Sequence, residues 1–187
     1  VKCLEAEKID AVFGYPGVAI CPFYNSILES DIESILVRTE QNAAHAASGL
    51  ARVTGKIGVC AVTSGPGATN LITGIATAFA DSIPLVCITG QVNSELLGSD
   101  VFQEADITGA CESFVKYSYL VKDANEIPRI FKEAFHIANT GRKGPVLIDI
   151  PIDVQNQVVK NFKYPEEINM RTYKPTVKGH AVQIAKV

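Results

Sequence analysis

Glu40 stands where an apolar run, Leu36-Val37, passes into an alanine-rich stretch that begins Arg38-Thr39-Glu40-Gln41-Asn42-Ala43-Ala44-His45. A carboxylate in the first turn of a helix, near the carboxyl end of a parallel strand, faces the crevice where open α/β sheets bind ligands. There it can share a proton or a hydrogen bond with one atom of a bound ring. Acidic side chains also occur in first turns because they complement the helix dipole. Residue type and place alone leave both readings open.

Three turn-rich segments follow three other apolar runs: Gly14-Tyr15-Pro16-Gly17, Thr63-Ser64-Gly65-Pro66-Gly67-Ala68-Thr69-Asn70, and Thr89-Gly90-Gln91-Val92-Asn93. In a parallel sheet all would gather at one edge. Glycines there let backbone approach a ligand closely, and a helix starting at Gly67 would offer N–H groups to an anion. The spacing matches neither the G-x-G-x-x-G fingerprint nor the Walker phosphate loop, and ligand-free strand-to-helix turns account for each segment equally well. A fourth segment, Gly98 to Asp106, combines polar side chains with the aromatic Phe102. It reads either as a site loop or as a helix capped by Ser99 or Asp100, with Gln103 or Glu104 closing a capping box.

Ser64 lies between a strand and a helix, but in T-S-G-P-G rather than G-x-S-x-G, and no histidine follows in the order a hydrolase needs. His45, His136 and His180 are far apart with no partner at metal spacing, so no metal site is expected.

The elements that must position these residues alternate between short apolar runs and longer helical patterns, the arrangement of βαβ units and a parallel sheet. Expected strands are Ala11–Tyr15, Ser34–Val37, Gly58–Thr63, Leu85–Thr89, Ser118–Val121 and Val146–Ile150. Expected helices lie near Ala19–Ser30, Glu40–Thr54, Gly67–Phe79 and Ile127–Thr140. The runs Val59-Cys60-Ala61-Val62 and Pro84-Leu85-Val86-Cys87-Ile88 lack polar alternation, as central strands covered on both faces do. The fold class is therefore α/β, a parallel sheet flanked by helices. After Asp153 the pattern decays into a polar stretch, Lys160 to Glu167, that reads as a linker, and Val177 to Val187 can begin another helix.

With 187 residues, 47% of them hydrophobic, the chain holds one sizeable core and a tail. A net charge of −3 with acids and bases interspersed provides no basic field for nucleic acid or an anionic membrane. No run is long enough to span a bilayer and no signal peptide opens the chain. The five cysteines, Cys3, Cys21, Cys60, Cys87 and Cys111, are odd in number and widely spaced. Neither a disulfide framework nor a zinc site fits, and a reducing cytoplasm does. The chain opens on Val1 and runs straight into a helix-like segment, so some residues before it are expected to be missing.

The segments Phe13-Gly14-Tyr15-Pro16-Gly17, Arg38 to Ala44, Thr63 to Asn70, Ala78-Phe79-Ala80-Asp81-Ser82-Ile83-Pro84, Thr89-Gly90-Gln91-Val92 and Phe102-Gln103-Glu104-Ala105-Asp106 occur in that order. Together they closely resemble the amino-terminal domain of acetolactate synthase (acetohydroxyacid synthase) large subunits, a thiamine-diphosphate-dependent family, from about Leu4 to Asp153. The resemblance implies a six-stranded pyrimidine-binding domain over residues 1–160, followed over 161–187 by a linker and the start of a truncated central domain. It implies condensation of two pyruvates, or of pyruvate and a second 2-keto acid, with loss of carbon dioxide, in branched-chain amino-acid synthesis. In the family, the glutamate matching Glu40 hydrogen-bonds a pyrimidine ring nitrogen and favours the imino tautomer that removes the thiazolium proton.

Pro66 and Asn70 match residues lining the pyrimidine pocket. Gln103 matches a glutamine that contacts reaction intermediates, with Phe102 packed beside it, and Tyr15, Pro16 and Gly17 match a loop bordering the substrate channel. Two positions depart from the family pattern: Val18, where most members have a second glycine, and Asn93, where many have proline. The resemblance further implies Mg²⁺ and FAD held by domains absent from this chain, a homodimer or higher homo-oligomer, and room for a regulatory small subunit. No G-D-G magnesium motif occurs here. The sister readings are another thiamine-diphosphate enzyme, such as a pyruvate oxidase, 2-keto-acid decarboxylase or carboligase, and a non-catalytic dimerisation module.

Overall fold

The computed structural model describes residues 1–187. Six parallel strands, β1 (Ala11–Tyr15), β2 (Glu33–Leu36), β3 (Gly58–Val62), β4 (Leu85–Gln91), β5 (Tyr117–Leu120) and β6 (Pro145–Pro151), form one sheet in the order β2-β1-β3-β4-β6-β5. Strand bounds agree with the sequence expectations to within two residues. The chain steps from β1 outward to β2 and then returns to the other side of β1 for β3. That reversal is a topological switch point, where the carboxyl ends of the strands leave a crevice.

Side-chain alternation divides the core between two faces. Val59 and Ala61 of β3 join Val86, Ile88, Val146 and Ile148 on one face. This face is covered by α1 (Lys2–Ala6), α2 (Cys21–Ile27) and α7 (Ile127–Asn139), through Leu4, Ile27, Phe131 and Phe135. Cys60, Val62, Leu85, Cys87 and Leu147 face the other way, under α3 (Glu40–Thr54), α4 (Pro66–Asn70), α5 (Ile72–Ala80) and α6 (Ile107–Cys111). Cys60 and Cys87 are adjacent in register and fully buried, so they pack as small hydrophobes.

The alanines of α3 determine how close that helix comes. Ala43, Ala44, Ala47 and Ala51 are buried, and a Cβ built on Gly58 of β3 would stand 2.2 Å from the Ala47 carbonyl oxygen. The same buried stripe of α3 touches α5, where a Cβ on Gly74 would meet the Ala44 Cβ at 2.5 Å. Helix α3 ends at Gly55, whose left-handed backbone (φ 72°) lets its N–H close on the Ala51 carbonyl at 2.9 Å.

Three expected helices differ in detail. The stretch near Ala19–Ser30 is a 3₁₀ turn, Val18–Ile20, followed by α2 with Pro22 in its first turn. Ile20 leaves the helical region (φ −124°), which separates the two. The stretch Gly67–Phe79 is divided into α4 and α5 by a tightened turn at Leu71, whose N–H bonds to Ala68 three residues back. No helix begins at Ser99 or Asp100. Gly98, Asp100 and Gln103 all have positive φ, which a right-handed helix excludes, and Glu104 turns back to accept from the N–H groups of Gly98 and Val101.

Beyond the short α8 (Ile152–Gln155) the tail has no regular structure until α9 (Ala181–Ile184), which is exposed throughout. It is nevertheless fastened to the sheet's helices. The Tyr164 hydroxyl donates to Glu7 at 2.7 Å, and the Lys116 ammonium donates to the Tyr173 hydroxyl (2.9 Å) and to the carbonyls of Ile137 and Thr140 at the end of α7.

Asp149 of β6 is 1% exposed, with Thr89 donating to Oδ1 at 2.6 Å and Gln91 to Oδ2 at 2.9 Å. Loss of hydration pushes its carboxyl up to about 7, with Asp106 acting in the same direction and the two hydrogen bonds opposing. The folded chain thus keeps a proton that the unfolded chain sheds near 3.8. The site's contribution to stability is fully present below that value and is lost as pH rises through about 7. Denaturant unfolding at pH 5 and pH 8 should show a steeper loss for the natural chain than for Asp149→Asn, by more than about 1.4 kcal/mol. Parallel losses in the two proteins would contradict this assignment.

Candidate active site

Because all six strands run in parallel, the segments after β1, β2, β3 and β4 meet at one edge. Glu40 is the first residue of α3, preceded by the extended Thr39. It is half-buried, and its Oε2 accepts from the Asn70 amide at 2.9 Å, which fixes the carboxylate over α4. Its other oxygen, Oε1, lies 3.3 Å from where a Gly67 Cβ would stand.

Around that carboxylate the chain has removed side chains. A Cβ on Gly17 would lie 2.5 to 2.7 Å from the Thr63 side chain, and one on Gly67 would meet the Thr63 methyl at 2.6 Å. Gly65 has φ 58°, and a Cβ there would strike the Gln103 backbone at 2.7 to 2.9 Å. Glycine is required at Gly65 on both counts. Thr63 Oγ1, in the middle of this cradle, is buried and has no hydrogen-bond partner. An orphaned buried hydroxyl beside a carboxylate and three missing side chains is the kind of departure from polar satisfaction that a ligand site explains.

The structure thus brings Glu40, Asn70, Gly17 and Gln103 together around Thr63 and Gly65, and leaves other sequence candidates at the rim. Tyr15 ends β1 opposite Val62 and is 40% exposed. Pro16 is exposed beside it, and Pro66 is exposed at the start of α4. Val18 is 73% exposed. Phe102 is 89% exposed, so it projects from its loop rather than packing beside Gln103. Asn93 accepts from the Glu95 N–H at 3.1 Å and caps a 3₁₀ turn, a role its side-chain carbonyl makes possible and a proline could not fill.

The Gly67 turn leaves an anion a single first-turn donor, the Ala68 N–H. Pro66 has no N–H, the Gly67 N–H already bonds to the Ser64 carbonyl at 3.1 Å, and Thr69 N–H bonds to Gly65 at 2.9 Å. Sequence reasoning missed Thr63 as a site residue and Gln91 as a buried one. Gln91 looked like turn, yet β4 continues through it and it is 3% exposed.

The N-terminal TPP-binding domain of thiamine pyrophosphate enzymes matches residues 1–110. The chain is 52% identical, over 100% of its own length, to the probable acetolactate synthase large subunit of Methanocaldococcus jannaschii, of which it covers 32%. It is 54% identical to the Haemophilus influenzae acetolactate synthase large subunit, again over the whole chain and 33% of the relative. Against the acetolactate synthase isozyme 3 large subunit of Escherichia coli the identity is 50%, with 33% of that protein covered. The chain spans about a third of the length of the curated relatives it matches. It belongs to the family of N-terminal TPP-binding domains of thiamine pyrophosphate enzymes.

Proposed function

We propose that this chain supplies the pyrimidine-binding half of a thiamine-diphosphate site in an acetolactate synthase large subunit. The observation that carries the reading is the Glu40 carboxylate, held by Asn70 over a cradle of three glycines and an unpartnered threonine hydroxyl. An aminopyrimidine carries a ring nitrogen that a side-chain carboxyl at this place can meet by a hydrogen bond. Thiamine diphosphate supplies a carbon nucleophile that adds to the keto carbon of pyruvate and takes up the electrons released with carbon dioxide.

The chain's own part is positional and protonic. Glu40 would meet a pyrimidine ring nitrogen through its free oxygen, Oε1, and Asn70 keeps the carboxyl from rotating away. Pro66 and Gly67 floor the ring, while Tyr15, Pro16, Gly17 and Val18 border the approach of pyruvate and of a second 2-keto acid. Gln103, set on the rim by its left-handed backbone, reaches the reacting substrate, and Phe102 screens the opening. Val18 narrows the approach relative to the glycine that most family members carry and so bears on acceptor choice.

The site is open on its outer side. Val18, Leu36 and Phe102, each in or just before a segment that follows a strand at this edge, are 73%, 63% and 89% exposed. That exposure supports an assembly, a homodimer or higher homo-oligomer, in which another domain closes the cleft. Mg²⁺ and FAD belong in this reading to other segments of the full-length enzyme. A regulatory small subunit and a cytoplasmic setting complete the proposal. No helix is long and apolar enough to cross a membrane.

Product analysis tests the reading. The full-length enzyme, given pyruvate, thiamine diphosphate and magnesium, should form acetolactate, whereas acetyl phosphate or free acetaldehyde would move it to a sister thiamine-diphosphate family. The 187 residues alone should form none. In the full-length enzyme Glu40→Ala should lower kcat by about 10²-fold to 10⁴-fold, the usual worth of a positioned acid or base. Its melting temperature should stay close to that of the natural enzyme, because the side chain is only half-buried and its dipole interaction is worth about 0.3–1 kcal/mol. Unchanged turnover would remove Glu40 from the chemistry.

A further inference from the structure

The loop that carries Gln103 leaves β4 at Val92 and returns at Ala105, immediately before Asp106 caps α6 by accepting from Gly109 at 2.9 Å. Its outer part is exposed from Gly98 to Asp100 and again at Phe102, and it rests on little apolar packing. A cavity of about 250 Å³ lies beneath it, lined among others by Gln91, Leu97, Glu104, Ala105 and Asp149. Such a loop is held by hydrogen bonds or not held at all.

One buried side chain reaches both of its ends. The Gln91 Oε1 accepts from the Val92 N–H at 2.9 Å, where the loop begins, and Nε2 donates to the Ala105 carbonyl at 2.8 Å, where it ends. The second N–H of the same amide donates to Asp149 Oδ2 at 2.9 Å. Thr89 occupies the other carboxylate oxygen at 2.6 Å. Because the Val92 N–H can only donate and the Ala105 carbonyl can only accept, the amide has a single orientation that satisfies both, and a flipped amide would set its oxygen against the Ala105 oxygen and its NH₂ against the Val92 N–H. Two further contacts act locally. Glu104 closes the loop on Gly98 and Val101, and Asp153 takes the N–H and hydroxyl of Ser94 at 2.8 and 2.5 Å. Neither spans the loop from end to end.

At its far side the loop lies so close to the pyrimidine turn that no Cβ fits at Gly65, with the Gln103 carbonyl 2.7 Å from where it would stand. A shift of the Ala105 end by a few tenths of an ångström is therefore felt at Gln103.

We propose that Gln91, its amide braced against Asp149, is a positioning residue that ties the two ends of the Val92–Ala105 loop and holds Gln103 against the Gly65 turn. The catalytic half of this statement rests on the reading of Gln103 as a residue that reaches substrate. The structural half does not.

Two measurements on the full-length enzyme separate them. Gln91→Met, close in volume and without donors, should raise amide hydrogen exchange in the segment 92–106 about tenfold. It should lower kcat/KM for acetolactate formation about tenfold. In a Gln103→Ala background the same substitution should cost less than about twofold, because the two residues act in series. Unchanged exchange in the loop overturns the proposal, and so does an equal loss of kcat/KM in both backgrounds. If Gln103→Ala is itself silent while exchange still rises, the role of Gln103 falls and the holding of the loop stands. Should Gln91→Met not fold, Gln91→Leu, smaller and likewise without a donor to Ala105 or Asp149, carries the same expectations.

Discussion

The backbone of α3 lies against β3 with no side chain between the Ala47 carbonyl and Gly58. Any larger residue at either position would lift the helix, and with it the first turn that carries Glu40. The alanines of α3 are poor contributors of apolar area, yet they are the residues that permit this approach, and the same face lets Gly74 of α5 rest on Ala44. Stability lost by using small residues is recovered further out, by fully buried Leu71 and Ile75, each worth roughly 1.5–3 kcal/mol on leaving water. The core of this side is thin at its centre and bulky at its margin, and the thin part is what places a carboxylate on the sheet edge.

Much of this was legible in the sequence for a simple physical reason. A strand covered on both faces cannot afford polar alternation, so β3, β4 and β6 appear as plain apolar runs, and parallel order then places every following turn at one edge. Glu40 could be located but not interpreted, since an acid in a first turn is also what a helix dipole favours. Its partner Asn70, thirty residues later, is a contact that no local pattern encodes.

Other features stayed hidden because they depend on distances no local pattern encodes. Gln91 follows Gly90 in a run that reads as a turn, but the pairing of β4 with β6 continues to Gln91 opposite Pro151 and draws the amide inside. Capping-box spacing from Ser99 or Asp100 predicts a helix that three positive φ values forbid, and the Glu104 that would have closed the box closes a loop in its place. The signal that was available is Asp149, a lone carboxylate inside Val146-Leu147-Ile148-Asp149-Ile150. A charged group in a strand buried on both faces must have donors waiting for it, and the donors, Thr89 and Gln91, sit one strand away.

The two polar clusters at this edge are built on opposite principles. Around Asp149 every oxygen has its donor, and the result is a rigid floor under the loop. Around Thr63 a buried hydroxyl is left unpaired, with the vacant Cβ positions of Gly17 and Gly67 against its side chain and the Glu40 Oε1 3.3 Å from the latter. Leaving a buried hydroxyl without a partner costs about 1–3 kcal/mol, and a fold that satisfies nearly all its other buried side-chain groups has no structural need to bear it. The cost is consistent with a site whose missing partner arrives from outside the chain, with the satisfied cluster holding still what the unsatisfied one is waiting to bind.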